Sequence, residues 1–417
     1  MNLIKKKVAI HTFILFSLIC LACYLLYYAY AQRSVSALFW AISFILAAWA
    51  SFSAFLRSFC IAIISITVTL ALVEAGLAYL PELMAKKTNE ETPRSYFDTN
   101  FSYSTPAYWQ LGPFGSQPQA GIFQSRALAN NGGVIYTATY TIGADGFRVT
   151  PQFGVDLNVV NNMTSINLPR INFLGDSFIF GEGLNDDQTM EYFTGKIALE
   201  KNQPVVVKNY GVHGWGMHQA LAVLQSKLDT KANLQYAQTS PWHASRSACV
   251  DFYSFGSPKY RLLANGLVER DGYCRSFSWL EKSPKVIRGL VNSSKIYQLL
   301  IDSLFVTADQ DQQIQLYLGI LKTMQADLKQ KGQPFILGFI KADEKWFVGS
   351  YNNEKILAAI KALDIEAIDM TLAIKNEELA KQYYIHELDK HPSALGNQER
   401  ANIFFLTLEK KSIKFLH

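Results

Sequence analysis

From Leu168 to the end of the chain, short apolar segments of strand length alternate with segments whose pattern favours helices. This alternation restricts the fold most, because strands separated by helices pair in parallel and carry helices on both faces of the sheet. The predicted strands are 171–174, 204–208, 234–239, 335–340 and 365–370, and the predicted helices are 187–200, 217–228, 309–331, 353–363 and 394–408. We therefore expect an α/β domain over residues 166–417, with an insertion at about 241–308.

Three apolar runs occupy the first 80 residues, at about 8–28, 38–55 and 59–80. Each is about 18–22 residues long, the length at which a helix crosses a hydrocarbon core of about 30 Å. We therefore expect a transmembrane anchor of three helices over residues 1–80. A cleaved signal peptide is the competing interpretation of the first run, because Lys5, Lys6 and Lys7 resemble a basic n-region. The two runs that follow favour the anchor.

The net charge of the chain is concentrated in this N-terminal segment. The 417 residues include 39 Lys and Arg against 34 Asp and Glu, a net charge of +5. Residues 1–80 hold five basic residues and one acidic residue (+4), which leaves 34 basic and 33 acidic residues (+1) for the rest. A nearly neutral domain lacks the basic surface of a nucleic-acid-binding protein. The lysine cluster predicts a cytoplasmic N-terminus, so three crossings would place the C-terminal domain in the periplasm or outside the cell, whereas two would keep it inside.

Two of the five cysteines, Cys249 and Cys274, lie beyond the apolar runs. In an oxidising compartment such a pair forms one disulfide, whereas in the cytoplasm the two would be unrelated thiols. The stretch between them is rich in aromatic residues, including Tyr253, Phe255 and Tyr260. Such an insertion is either a lid or acceptor platform for a substrate, or a small local core.

Residues 81–165 alternate aromatic and polar residues with turn signals, and the run 134–142 has the period and composition of a strand. This pattern predicts a small β-rich lead-in segment that packs on the following domain. No residue pattern within it points to chemistry.

Three loops lie at positions where open parallel sheets place their binding sites. Residues 173–178 read Phe-Leu-Gly-Asp-Ser-Phe, a turn that either presents the Ser177 hydroxyl among backbone N–H groups or caps a helix. Residues 209–216 read Asn-Tyr-Gly-Val-His-Gly-Trp-Gly, and their glycines either let backbone N–H groups approach a ligand or form an ordinary turn. Residues 389–393 read Asp-Lys-His-Pro-Ser, in which Asp389 can orient His391 as a base, although a surface histidine is the alternative.

Together, the Gly-Asp-Ser, Asn-x-Gly-x-x-Gly and Asp-x-His-Pro-Ser blocks resemble the SGNH hydrolase family, also called GDSL esterases, over about residues 168–417. The resemblance implies a three-layer α/β/α, flavodoxin-like sandwich that hydrolyses or transfers acyl esters. It implies that Ser177 is the nucleophile, that His391 is the general base and that Asp389 orients His391. The N–H groups of Ser177 and Gly214 would form the oxyanion hole. We expect no metal and no other cofactor.

The sequence departs from the family pattern at two places. Family members usually carry a Gly-x-Asn-Asp block after the next strand, whose Asn side chain donates to the oxyanion, and this chain has no such block. His243 is the candidate replacement, because a neutral imidazole N–H can donate a hydrogen bond; a structural histidine beside Trp242 is the alternative. The predicted acid lies two residues before the base, where the family often has three, so Glu387 is kept as an alternative to Asp389.

We therefore expect a membrane-anchored serine esterase of SGNH type that acts, through an acyl-enzyme, on acyl esters of an envelope glycan or lipid. The alternatives are an O-acyltransferase of the same fold and a catalytically silent, glycan-binding member of an envelope complex. The expected partners are the ester substrate, the lipid bilayer and, within a complex, other envelope proteins. The residues that bind the substrate are not evident from the sequence.

Overall fold

The computed structural model of the chain describes residues 21–26, 28, 35–50, 57–85, 101–103, 109–129, 131–153, 168–275, 309–342 and 351–410, with a few positions between 280 and 297. The chain forms two compact units. One comprises Met1–Pro93 and Ser276–Val306, and the other comprises Arg94–Arg275 and Thr307–His417. All three motif loops lie in the second unit.

Two helices, α1 (Val35–Ala50) and α2 (Arg57–Ala85), pack against each other in the first unit. Among the residues that the structure describes, no helix combines the length and the apolar character of a membrane span. The predicted spans 38–55 and 59–80 fall on α1 and α2 and are not supported as crossings. Most of the predicted span 8–28 lies outside the described residues.

The first unit buries one carboxylate. Glu74, on α2, is 4% exposed and accepts hydrogen bonds from the Ser294 hydroxyl and from the Ile296 N–H, both at 3.0 Å. These donors satisfy oxygens that would otherwise be costly to bury. Glu74 therefore joins α2 to the segment around residue 295 within this unit.

The second unit begins with strands β1 (Phe101–Tyr103), β2 (Trp109–Gly112), β3 (Gly115–Pro118), β4 (Gly121–Ala129) and β5 (Val134–Ile142). An antiparallel sheet has the order β1-β4-β5, and β2 pairs with β3 as a hairpin. The bounds of β5 are those that its period predicts. Every second residue of β5 from Tyr136 to Ile142 is buried, so one face of this sheet packs inward.

A five-stranded parallel sheet forms the centre of the second unit. The remaining strands are, in chain order, β6 (Arg170–Gly175), β7 (Val206–Gly211), β8 (Leu234–Thr239), β9 (Pro258–Leu262), β10 (Val268–Tyr273), β11 (Phe335–Phe339), β12 (Glu366–Asp369), β13 (Tyr384–His386) and β14 (Asp389–Pro392). The parallel sheet has the spatial order β12-β11-β8-β6-β7, and β9–β10 and β13–β14 are antiparallel pairs. Numbered along the chain, its strands run 2-1-3-4-5, the flavodoxin-like order. The predicted α/β fold with a parallel sheet is confirmed.

Helices cover both faces of this sheet. They are α3 (Ser177–Phe180), α4 (Met190–Glu200), α5 (Met217–Leu224), α6 (His243–Ser247), α7 (Gln310–Gln330), α8 (Asn353–Lys361), α9 (Glu377–Tyr383) and α10 (Ala394–Lys410). One core joins α5, α7 and α8 to Leu174 and Leu337, and the other joins α4 and α10 to Phe173 and Ile336. Because neighbouring residues of a strand point to opposite faces, the two cores lie on opposite sides of the sheet and make three layers.

The strand order reverses between β6 and β8. From β6 the chain continues to β7 at one edge of the sheet, whereas from β8 it continues to β11, towards the opposite edge. The crevice at the carboxyl ends of β6 and β8 is the topological switch point, where open α/β sheets bind ligands. Strand β6 ends next to Asp176 and Ser177, and β8 ends three residues before Trp242.

Candidate active site

Ser177, His391 and Asp389 form a continuous chain of hydrogen bonds. Ser177 begins α3, directly after β6, and its Oγ lies 2.7 Å from Nε2 of His391. Nδ1 of His391 lies 2.5 Å from Oδ1 of Asp389, and the same oxygen accepts the backbone N–H of His391 at 2.9 Å. A hydroxyl, an imidazole and a carboxylate in this order can transfer a proton from the hydroxyl to the imidazole.

The hairpin β13–β14 delivers the histidine and the acid together. Asp389 opens β14 and is 3% exposed, whereas Glu387, the alternative acid, is exposed before the strand begins. The spacing of two residues lets Asp389 reach both the ring and the backbone of His391. Asp389 thus occupies the place of the orienting acid.

Burial and charge act in opposite directions on these two groups. Burial alone would raise the pKa of the Asp389 carboxyl, but the facing His391 ring outweighs it, so the pKa lies below its usual range. Burial alone would lower the pKa of His391, but adjacent Asp389 and the more distant Glu182 and Asp176 raise it above 6.5. His391 is therefore a stronger base than an isolated histidine.

The carboxylate of Asp176 holds the Ser177 turn. Its Oδ1 accepts the Phe178 N–H at 3.0 Å and so caps α3. Its Oδ2 accepts three more hydrogen bonds, each of 3.0 Å, from Trp242 Nε1, His243 Nε2 and Arg246 Nη1. Burial alone would raise the pKa of Asp176, but these donors hold it well below the usual range. The turn that carries Ser177 is thus built on a buried, hydrogen-bonded anion.

The structure corrects the role predicted for His243. Its ring is 1% exposed, and its Nε2 contacts Asp176 instead of a position beside the Ser177 hydroxyl. Burial lowers the pKa of His243 despite the nearby carboxylate of Asp176, so the neutral ring donates its Nε2 proton to that carboxylate. Trp242 donates to the same carboxylate oxygen of Asp176. These contacts agree with the alternative interpretation of His243 as a structural histidine beside Trp242.

Arg246 connects the two loops of the predicted oxyanion hole. Its Nη1 donates to Asp176 Oδ2 and to the carbonyl oxygen of Trp215, both at 3.0 Å, from a side chain that is 4% exposed. Trp215 directly follows Gly214, so one guanidinium nitrogen contacts both the Ser177 turn and the Gly214 loop. The segment after β8 is therefore joined to both of these loops.

The Gly214 loop depends on close packing. Gly214 has a φ of +75°, and a Cβ at this position would lie 2.3 Å from the Tyr253 ring. Asn209, at the start of the same loop, donates from its Nδ2 to the Ile179 carbonyl oxygen at 2.8 Å and so joins the loop to α3. Within the described part of the chain, the backbone N–H groups of Ser177 and Gly214 have no protein acceptor. Donors of this kind suit an oxyanion hole.

Glu182 is a residue of the site that the sequence analysis missed. Its Oε1 accepts the Tyr136 hydroxyl at 2.8 Å, and its Oε2 lies 3.2 Å from Nδ1 of His213. Burial alone would raise the pKa of Glu182, but His213, His391 and the Tyr136 hydroxyl lower it to about 2. Its position between two glycines was the available signal.

Over the residues that the structure covers, no group of three or more His, Cys, Asp or Glu side chains could hold a metal ion.

Arg148 is a second missed residue, and it fixes the loop that carries Glu182. Its side chain is 1% exposed and donates to the carbonyl oxygens of Phe180 at 2.8 Å and Gly181 at 2.7 Å. Its Nε also pairs with Asp186 at 2.9 Å. These partners lie 32 to 38 residues away along the chain, so no local pattern could reveal them.

The structure joins Cys249 and Cys274 in a disulfide with an S–S distance of 1.98 Å. The aromatic residues between them divide between the two roles considered for the insertion. Tyr260, on β9, is 3% exposed and belongs to the core over α5 and α7, whereas Tyr253 packs against Gly214. Most of the predicted insertion beyond residue 275 lies outside the described residues.

No family model matches the sequence, and a search of curated proteins finds no match either. Solved structures do match. A protein described as lipolytic and of the G-D-S-L family, from Desulfitobacterium hafniense DCB-2, is 12% identical over 57% of this chain and 97% of its own, with a TM-score of 0.33. AlinE4, an SGNH-hydrolase family esterase, is 13% identical over 59% of this chain and 97% of its own, with a TM-score of 0.30. A carbohydrate esterase is 12% identical over 58% of this chain and 65% of its own, with a TM-score of 0.31.

The solved structures that this chain resembles include SGNH/GDSL hydrolases and esterases.

Proposed function

We propose that the protein is a serine ester hydrolase of SGNH type, with Ser177 as nucleophile, His391 as general base and Asp389 as the acid that orients the base. The observation that carries the proposal is the chain of hydrogen bonds from Asp389 through His391 to the Ser177 hydroxyl, at 2.5 and 2.7 Å. A base within reach of a hydroxyl, and itself oriented by a buried carboxylate, is the arrangement that activates a serine.

In the proposed reaction, His391 Nε2 takes the Ser177 proton while Oγ attacks the ester carbonyl carbon. The N–H groups of Ser177 and Gly214 donate to the carbonyl oxygen as it gains negative charge. The His391 imidazolium, stabilised by Asp389, protonates the leaving oxygen, so an alcohol departs and the acyl group stays on Ser177. Water then attacks the acyl-enzyme and gives a proton to His391, which passes it to Ser177 Oγ as the bond to the acyl group breaks and the acid leaves.

The oxyanion hole proposed here relies on backbone donors without the family's Asn side chain. Loss of one oxyanion donor costs about 2.7–4 kcal/mol in comparable enzymes, which corresponds to about 10²–10³ in kcat. The contacts of Arg246 with both loops reduce the reorganisation that the remaining donors need. We therefore expect an active but slow esterase.

We infer that the substrate is an acyl ester of an envelope glycan or lipid and that the second unit faces the periplasm or the cell exterior. The Cys249–Cys274 disulfide supports this location, because disulfides persist in oxidising compartments. The lysine cluster and the apolar runs of the sequence support attachment to a bilayer, and other envelope proteins are the proposed partners in a complex. A reporter that is active only outside the cytoplasm, fused after residue 90, should be active; an inactive fusion would contradict this location.

The two alternatives differ from the main proposal in their second step or in lacking chemistry. An acyltransferase would resolve the acyl-enzyme with a sugar hydroxyl in place of water. A catalytically silent, glycan-binding protein is favoured by the missing Asn block, but the contacts among Ser177, His391 and Asp389 favour an enzyme.

The direct test is the Ser177→Ala variant of the full-length chain, assayed for acid release from small acyl esters. We expect the rate to fall by at least about 10³-fold, as it does when triad serines are removed elsewhere. Ser226→Ala is the matched control, since the Ser226 hydroxyl lies after the end of α5, donates to the Val223 carbonyl oxygen and accepts the Leu228 N–H, both local backbone groups. Equal rates for Ser177→Ala and wild type would refute the proposed mechanism.

A further inference from the structure

Arg400 is a buried cation near the triad that the proposed mechanism does not use. It lies on the buried face of α10, with Ala401 and Phe404, where a helix that packs on a sheet usually carries apolar side chains. Arg400 is only 3% exposed, and among the residues that the structure describes neither its Nε nor its Nη1 has a hydrogen-bond acceptor. A buried charge without a hydrogen-bonded partner destabilises the folded state.

Arg400 keeps its positive charge at neutral pH. Burial lowers the pKa of its guanidinium to about 10, while Tyr236 on β8, Tyr384 on β13 and the Asp176 carboxylate act in the opposite direction. Both oxygens of Asp176 accept hydrogen bonds from other donors, among them Arg246. Features that cost stability in this way are concentrated at functional sites.

The Phe178 ring links Arg400 to the catalytic base. The guanidinium carbon of Arg400 lies over this ring, 5.2 Å from its centroid, and the same centroid is 5.3 Å from that of the His391 ring. Phe178 directly follows Ser177 in the chain and is only 8% exposed. An apolar ring therefore lies between the guanidinium and the imidazole, and charges interact more strongly through such a medium than through water.

The other charged groups that face His391 are carboxylates. Burial lowers the pKa of its ring, whereas the carboxylates of Asp389, Glu182 and Asp176 raise it above the usual value. From the loop after β7, the titratable group that faces the ring is His213, with its centroid 6.5 Å away. A protonated imidazole cannot act as a base, so a positive charge that opposes the carboxylates favours the active form.

We propose that Arg400 is a positioning residue for the proposed hydrolysis: acting through the Phe178 ring, its charge favours the unprotonated form of His391, which accepts the proton of the nucleophile. At a separation of about 10 Å, one unit charge shifts the titration of another by about 0.3 units in water and about 1.2 units in a protein interior. The inference rests on ester hydrolysis at Ser177 and adds a residue that acts on its base.

The test compares Arg400→Met with the control Arg170→Met in the purified full-length chain. Methionine removes the charge and keeps most of the aliphatic length. Arg170 begins β6, about 16 Å along this strand from its end beside Ser177, and its guanidinium pairs with Asp229 at 3.1 Å. For each variant, kcat/KM for ethyl acetate is measured between about pH 5 and pH 9. Melting temperatures are measured alongside.

For Arg400→Met, we expect the midpoint of the rise of kcat/KM with pH to move up by about 0.3–1.2 units. The value of kcat/KM should fall about 2- to 16-fold well below the midpoint and stay unchanged well above it, where His391 is unprotonated in both proteins. The melting temperature should rise by about 2 °C or more, because an unpaired buried charge is removed. Arg170→Met should leave the midpoint within about 0.2 units of the wild type.

If Arg400→Met does not fold, Arg400→Gln takes its place, because it removes the same charge and should give the same upward shift. An unchanged or lowered midpoint would show that the charge does not act on His391. An equal loss of kcat/KM at every pH, together with a lower melting temperature, would show that Arg400 only supports the fold. Either result overturns the inference. Failure of the proposed function is distinct, since Ser177→Ala would then hydrolyse ethyl acetate as fast as the wild type does.

Discussion

Replacement of Arg246 by methionine removes a side chain that contacts both loops of the oxyanion hole, while keeping most of its aliphatic volume. The bond from Nη1 to Asp176 Oδ2 joins two charged groups at 3.0 Å, and such bonds contribute about 1.5–3 kcal/mol. The Trp215 carbonyl oxygen would lose its donor at 3.0 Å, which costs about 1–3 kcal/mol for a buried acceptor. Trp242 and His243 still donate to Asp176, so we expect a total loss of about 3–5 kcal/mol, the range for breaking a buried ion pair.

The same replacement should slow catalysis, because the Ser177 and Gly214 donors would no longer be held relative to each other. A misplaced oxyanion donor costs about 10²–10³ in kcat, and we expect Arg246→Met to lie near the lower value with KM little changed. Scanning calorimetry and acid release from ethyl acetate measure the two effects in the full-length chain. Arg261→Met is the matched control, since Arg261 is 64% exposed and its one ion pair among the described residues is with Glu269 at the surface.

Two results would refute this reasoning. If Arg246→Met lowered the unfolding free energy by less than about 1 kcal/mol, the buried contacts of the guanidinium would not be those described. If the variant were destabilised but kept its kcat at temperatures where it is folded, Arg246 would support the fold without positioning the oxyanion donors. Arg261→Met should stay within about 0.5 kcal/mol of the wild type.

The remaining predictions concern the triad, its pH dependence and the Glu182 loop. Asp389→Asn should lower kcat by about 10⁴, as in comparable triads, and a loss under tenfold would remove Asp389 from the proposed mechanism. Although burial lowers the pKa of His391, the surrounding carboxylates raise it above 6.5, and His391 must be neutral to act as a base. The value of kcat/KM should therefore rise with pH, and the midpoint of this rise should lie above pH 6.5. Glu182→Gln removes one of the carboxylates and should lower this midpoint. An upward shift of the midpoint would contradict the assignment of His391 as the titrating base. Arg148→Met should lower the free energy of unfolding, measured by calorimetry, by about 3–5 kcal/mol. The reason is that Asp186 and the Phe180 and Gly181 carbonyl oxygens lose their buried donor. A loss under about 1 kcal/mol would contradict these contacts.

The parallel sheet and the positions of Ser177, Asp389 and His391 could be predicted because their signals are local. Each strand is a short apolar run, and each motif loop follows a strand or precedes a helix within a few residues. Parallel pairing then brings the carboxyl ends of the strands to one edge. The hairpin that carries Asp389 and His391 was not predicted, since its strands have three and four residues and little apolar content.

The contacts around the site could not be predicted, because they join residues far apart in the chain. Glu182 meets Tyr136 across 46 residues, and Arg246 meets Asp176 across 70. His243 was assigned to the oxyanion hole from its place in the sequence order of the family blocks. The buried Asp176 carboxylate competes for that imidazole, and a carboxylate without water must be satisfied by protein donors. The lead-in segment, whose sequence points to no chemistry, supplies the Tyr136 hydroxyl, which donates to the buried Glu182 carboxylate.

The central claim is that the Ser177 hydroxyl is activated by His391, and covalent labelling tests it most directly. The full-length chain is treated with a fluorophosphonate, digested and analysed by mass spectrometry, alongside Ser177→Ala and His391→Ala. We predict one adduct, on the peptide that contains Ser177, which is absent in Ser177→Ala and formed much more slowly in His391→Ala. Absence of an adduct from the wild type, or equal labelling of wild type and His391→Ala, would contradict the claim.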